Sequence, residues 1–267
     1  MPFLDIAQTP LAPGVSPARV HYRNIGRGSP IVILHGGWGY DMYPFDRQIA
    51  ALAPRHQLVI PDRSGYGEST PIRSLPSDFH RRAVDETRLV LGALDLDRPV
   101  LWGHSDGAII ALRLALDAPD RVSAVIAEAA HYFRRKPRSR RFFESVIENP
   151  ASTDIMTLHA LAWLRIGEEA ASDTDDFYDG HLSQLAVPLL VVHGARDPRT
   201  EPGEIETLKA AVTAGRAGSA SGGADPVPAG AAIHVDVLPA AGHSPHSEGA
   251  TADYVTNLSQ RFIDARV

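Results

Sequence analysis

The stretch LWGHSDGAII, residues 101–110, decides how this chain is read. An apolar run, PVLWGHS (99–105), breaks at Gly103-His104-Ser105-Asp106-Gly107 and returns at once to apolar residues. A surface loop would accept almost any polar residues here. Glycine two places away on each side of a single hydroxyl therefore points to close backbone approach on both flanks. A strand, then Gly-x-Ser-x-Gly, then a helix is the setting that holds a serine on a sharp, strained turn, its Oγ projecting above the C-terminal edge of a sheet. The same residues would also fit a tight turn with an N-capping serine. Residues elsewhere in the chain must separate the two readings.

Working outward, short apolar runs alternate with helix-length segments, the pattern of parallel strands joined by helices. Strands are expected at 30–36 (PIVILHG), 57–62, 99–105, 121–129, 187–194 (VPLLVVHG) and 233–239 (IHVDVLP). Most are near-continuous apolar runs, as strands covered on both faces should be. Helices are expected at 43–53, 78–94, 106–117, 203–214 and 247–264, with Asp78 as an N-cap. The fold class is thus α/β, a mostly parallel central sheet flanked by helices. Residues 131–184 show no clear strand and carry a basic run, RRKPRSRR (134–141), and an acidic stretch, EEAASDTDDFYD (168–179). They are expected to form a short helical cap inserted into a core made of 1–130 and 185–267. A Gly/Ala/Pro-rich segment, 214–230, reads as a mobile surface loop.

Composition narrows the chemistry. The 267 residues are 44% hydrophobic and 22% charged, enough for one large domain with a substantial core. A net charge of -6 gives no overall attraction to nucleic acid or to an anionic membrane, and the basic run lacks interleaved aromatics. That run reads as a solvated cap surface paired with the acidic stretch 168–179; an acidic substrate is the lesser alternative. The absence of cysteine removes disulfides, thiolate metal sites and a cysteine nucleophile. No basic leader followed by a long apolar run opens the sequence, and no run approaches a membrane span, so the expected location is the cytoplasm. The histidines are scattered without metal-ligand spacing, and no metal or cofactor is expected. Oligomeric state is left open.

A serine is a weak nucleophile at neutral pH and needs a base, itself oriented by an acid. Both should follow later strands, acid before histidine. Asp197 stands just past VPLLVVHG, and His243 follows IHVDVLP in AAGHSPHSE. His246 is an alternative base and Glu128, at the end of RVSAVIAEA, an alternative acid or a pocket residue; His104 should point away from the serine. The first strong strand delivers LHGGWGYD, where Gly37, then Trp38, are candidates to join the Asp106 N–H in an oxyanion hole. Trp38, Asp106, Glu128 and His131 are candidate substrate-binding residues. The Asp106 carboxylate has two readings: it favours the N-terminal end of its helix, or it pairs with a cationic group of the substrate. Cap aromatics, Trp163 and Phe143 among them, should be mostly core with some lining a pocket.

HGGWG, DRSGYGEST, GHSDG, VVHGARD and AAGHSPHSE together resemble the α/β-hydrolase fold superfamily, from about residue 20 to the C-terminus. HGG is similar to the proline iminopeptidase branch and the Ser-Asp-Gly elbow to the valacyclovir hydrolase group. The resemblance implies Ser105 as nucleophile, Asp197 as acid, His243 as base, and Gly37 and Asp106 as oxyanion donors. It also implies that DRSGYGES braces the site. Dehalogenases and epoxide hydrolases of this fold carry aspartate where this chain has Ser105. The expected activity is serine-dependent hydrolysis of a carboxylic ester of a small or medium-sized substrate. A C–C bond hydrolase, lactonase, aminopeptidase or perhydrolase would use the same residues, and a non-catalytic ligand-binding member of the fold is the alternative of another class.

Overall fold

The run PIVIL builds strand β3 (Ser29–Leu34), in which Ile31 and Ile33 enter one core layer and Val32 and Leu34 the other. The same alternation recurs in β4 (His56–Pro61), β5 (Val100–His104), β6 (Ala124–Glu128) and β7 (Leu189–Gly194), whose apolar residues are buried on both faces. Successive side chains of a strand point to opposite faces, so a continuous apolar run needs cover on both. That cover comes from α1 (Asp46–Leu52) and α7 (Ala252–Asp264) on one side, and from α2 (Phe79–Ala93), α3 (Asp106–Asp117) and α6 (Glu204–Ala217) on the other.

The computed structural model describes residues 2–217 and 232–266. With β1 (Phe3–Ile6), β2 (Ala18–Gly26) and β8 (Ile233–Leu238), the strands form one eight-stranded sheet in the order β1-β2-β4-β3-β5-β6-β7-β8. β2 runs antiparallel to both its neighbours, and every pairing from β4 through β8 is parallel. All six expected strands are present, and the α/β class with a mostly parallel sheet is observed. β1 and β2 were not expected. β2 reads ARVHYRNIG, polar at many positions and buried mainly at its start, so it lacks the apolar run that marks the central strands.

Helix boundaries differ most at α7, expected from 247 and found from Ala252. The Glu248 carboxylate accepts from the backbone N–H of Gly242 and Ser244 at 2.8 and 3.0 Å, holding that stretch as a turn. Between β6 and β7 lie α4 (Pro137–Glu148) and α5 (Asp154–Glu169). Arg134 and Arg135 pair with Asp175 and Asp173 at 3.2 and 2.8 Å, so much of the basic run does face the acidic stretch. Lys136 departs from the expected solvated surface: it is buried against Glu204. The Gly/Ala/Pro-rich segment at 214–230 lies, from 218 on, outside the described residues. Among the described residues no helix is long and apolar enough to cross a membrane.

Candidate active site

The opening glycines have a steric explanation. A Cβ on Gly103 would sit 2.1 Å from the carbonyl oxygen of Gly107, and one on Gly107 would sit 1.9 Å from that of Leu34. Backbone fills both places, so β5 can turn into α3 within one residue. That residue is Ser105, at φ 55° and ψ -117°, with its N–H donating to Glu128 O at 2.9 Å. A side chain in this region of backbone space costs about 1–3 kcal/mol and persists only where its surroundings enforce it.

The loops after β7 and β8 bring Asp197 and His243 to the same edge. His243 Nδ1 lies 2.8 Å from Asp197 Oδ2, and His243 Nε2 lies 3.2 Å from Ser105 Oγ. The other oxygen of Asp197 accepts from the Arg199 N–H at 2.8 Å. Burial pushes the Asp197 carboxyl up, but the hydrogen bond and charge of His243 outweigh it and hold the group at about 2. With Nδ1–H committed to Asp197, Nε2 is left as the acceptor facing the serine. His104 does point away from Ser105: its Nε2 lies 2.9 Å from His243 O, fastening the backbone of His243. Burial, then the neighbouring His246 and His243, lower His104 to about 3, so its ring is neutral.

The HGG loop is braced from β4. Arg63 donates to His35 O and, at 3.0 Å, to Gly36 O. Burial and the Arg63 charge hold His35 well below its ordinary value, and the neutral ring accepts from the Arg63 N–H at 3.2 Å. Among the described residues the backbone N–H groups of Gly37, Trp38 and Asp106 find no protein acceptor. Unsatisfied donors at the end of β3 and the start of α3, beside a serine hydroxyl, suit an oxyanion. The Trp38 ring packs on His159 and Phe142, centroids 5.0 and 5.9 Å apart, and so ties this loop to α5 and α4.

Two candidate side chains are placed differently from the expectation. The Asp106 carboxylate does not face open space: it is buried, accepting from His159 Nε2 at 2.6 Å, His80 Nε2 at 3.0 Å and Trp163 Nε1 at 3.2 Å. These donors occupy the oxygens that a substrate cation would need. Glu128 does not meet His243 or the pocket either. It binds His246 Nδ1 at 2.7 Å, the His246 N–H at 2.8 Å and Trp102 Nε1 at 3.3 Å, with no exposed surface. His246 in turn stacks on Phe45, centroids 3.8 Å apart, with Nε2 3.1 Å from Tyr43 O. His104, Glu128 and His246 have potential metal-ligating atoms within 4.8 Å of one another, yet each is hydrogen-bonded inside the protein.

His131 does line the space beside Ser105, with Lys136, Phe143, His159, Trp163 and Arg199. The enclosed part of that space is about 10 Å³, room for about one water, and it opens outward to about 250 Å³ with its solvent side included. A hollow with a larger enclosed part, about 190 Å³, lies between His80, Arg113 and Phe177, and neither Ser105 nor His243 lines it. The residues that sequence reading missed are His80 and His159 around Asp106, and Arg199; Arg63 lies in the DRSGYGES segment expected to brace the site, and Trp163 was expected among the cap aromatics but not as a donor to Asp106. His159 and Trp163 stand four apart on the apolar helix α5, a spacing that puts a polar ring and an indole N–H on one inward face.

The comparisons with known proteins agree with this fold. The family model described as alpha/beta hydrolase fold matches residues 29–164. The RutD protein of Klebsiella pneumoniae is 37% identical over 117 residues, which is 43% of this chain and 43% of that protein. The chain thus aligns with less than half the length of that relative. The serine hydrolase BPHL of Mus musculus is 29% identical over 202 residues, 69% of each chain. Among solved structures, an esterase from Thermogutta terrifontis superposes with a TM-score of 0.68 at 20% identity, covering 99% of both chains. A family-model match over half the chain, a sheet order with one antiparallel flank, and a serine turn between β5 and α3 agree on one conclusion: the chain belongs to the α/β-hydrolase fold family.

Proposed function

We propose that this chain hydrolyses carboxylic esters of small or medium-sized substrates through an acyl-enzyme on Ser105. One observation carries the reading: an unbroken line from Asp197 through both nitrogens of His243 to Ser105 Oγ, with spacings of 2.8 and 3.2 Å. His243 Nε2 takes the hydroxyl proton as Oγ attacks the ester carbonyl, and Asp197 stabilises the imidazolium. The oxyanion is received by the N–H of Asp106 and that of Gly37 or Trp38. The imidazolium then protonates the departing alcohol oxygen, and water, deprotonated by the same nitrogen, releases the acid. On this reading α4 and α5, within 131–184, act as a cap over a core of 1–130 and 185–267.

The test is turnover of short p-nitrophenyl esters by the unmodified chain and by Ser105→Ala. The expected loss is on the order of a million-fold in kcat, with the fold retained. An acyl adduct on Ser105, seen by intact mass with a slowly deacylating ester, supports the covalent step. Substantial turnover by Ser105→Ala would remove the serine from the reaction.

A further inference from the structure

Around the space beside Ser105, most charges are already committed. Lys136 is buried and ion-paired with Glu204, which also accepts from the Tyr132 and Phe133 N–H groups at 2.7 and 3.1 Å. His159 donates to Asp106, and Asp197 holds His243. Arg199 is different. Among the described residues its guanidinium has no carboxylate within 4 Å and makes no side-chain hydrogen bond, although it lines this space and is only partly exposed. It lies over the ring of Phe142, 3.5 Å from the ring centroid, which fixes the plane of the fork without using any of its donors. Two further polar atoms on the same wall, His131 Nδ1 and His159 Nδ1, are buried with no partner.

A half-buried guanidinium held by stacking, with all five donors unused, is built to receive a planar anion. Its companion cation is neutralised by Glu204, which leaves the Arg199 fork to match one carboxylate. The cavity already contains the nucleophile, so the anion and the scissile carbonyl must belong to one small molecule. We propose that the substrate is an ester whose acyl part carries a second, free carboxylate, bound by Arg199: a half-ester of a short dicarboxylic acid. This rests on the ester-hydrolase reading and adds the substrate class to it.

The test compares mono-p-nitrophenyl glutarate with the uncharged p-nitrophenyl valerate. The unmodified chain is expected to favour the anionic ester by about 10- to 100-fold in kcat/KM, the range for a hydrogen-bonded charge. Arg199→Gln should bring the ratio to within about threefold of one, mainly through KM for the anionic ester; its backbone N–H still serves Asp197. Arg199→Lys, which keeps the charge without the fork, should recover part of the preference. Free glutarate should also raise the Tm of Ser105→Ala but not that of the Ser105→Ala/Arg199→Gln double variant. Equal use of the two esters by the unmodified chain overturns the inference, whatever the variants do. Should neither ester turn over, glutarate binding that depends on Arg199 would sustain the anion site while the hydrolase reading falls. Failure of glutarate to bind would overturn the anion site.

Discussion

His243 and His246 stand three residues apart in one loop, and each has Nδ1 on a buried carboxylate: Asp197 at 2.8 Å for the first, Glu128 at 2.7 Å for the second. What distinguishes them is the other nitrogen. His243 Nε2 faces a serine hydroxyl at 3.2 Å, while His246 Nε2 faces the carbonyl of Tyr43 at 3.1 Å. A carbonyl has no proton to give, so the second pair can only hold structure. The His246 side chain is fully enclosed and stacked on Phe45, whereas 11% of the His243 side chain remains accessible at the edge of the sheet. A histidine–carboxylate pair is thus no evidence of catalysis until the atom beyond it is identified.

The contrast can be broken most directly at the acids. Asp197→Asn should lower kcat by up to about ten-thousand-fold, because the imidazole loses the group that fixes its tautomer, while Tm changes far less. Glu128→Gln should do the opposite. It takes the carboxylate out of a fully buried hydrogen-bonded pair and should cost about 3–5 kcal/mol in denaturant unfolding, with kcat per folded molecule within about tenfold of normal. A Glu128→Gln protein of normal stability and negligible kcat would transfer the acid role to that residue.

A third set of histidines, without a carboxylate partner, sharpens the comparison through pH. Burial holds His104 at about 3 and keeps His35 and His131 well below their ordinary value of 6.5. For such groups the unfolded chain binds more protons below pH 6.5, so their contribution is fully present above that value and is lost as pH falls towards the folded values. Each should remove about 1.4 kcal/mol per pH unit over that range. Asp197, held at about 2 against an ordinary 3.8, adds a loss only below about pH 4. Urea unfolding at pH 7, 6 and 5 should therefore show stability falling well before the carboxylates titrate. A level profile across those three values would contradict the neutral state of these rings.

The sheet was legible because its central strands carry near-continuous apolar runs, and the elbow because its glycines are forced by backbone contact at Gly107 and Leu34. Asp197 and His243 could be placed because each follows a recognisable strand. The surroundings of Asp106 were not legible. Its partners come from α2 and α5, so His80, 26 residues before it, and His159, 53 after it, meet only once the helices pack. Glu128 was misplaced for a related reason: the end of β6 fixes its position, but not which loop histidine reaches it. Arg199 sits two residues after a triad candidate in a charged loop, and only packing against Phe142 sets it apart from a solvated arginine.

The backbone angle at Ser105 carries a consequence for how this protein can be improved. Glycine adopts such angles freely, so Ser105→Gly should raise Tm by several degrees, in line with about 1–3 kcal/mol of relieved strain. Laboratory evolution for heat resistance alone would therefore reward loss of the hydroxyl. With Ser105 as the nucleophile proposed above, a thermostability screen on this scaffold would need an activity gate to keep its fittest survivors from being inert.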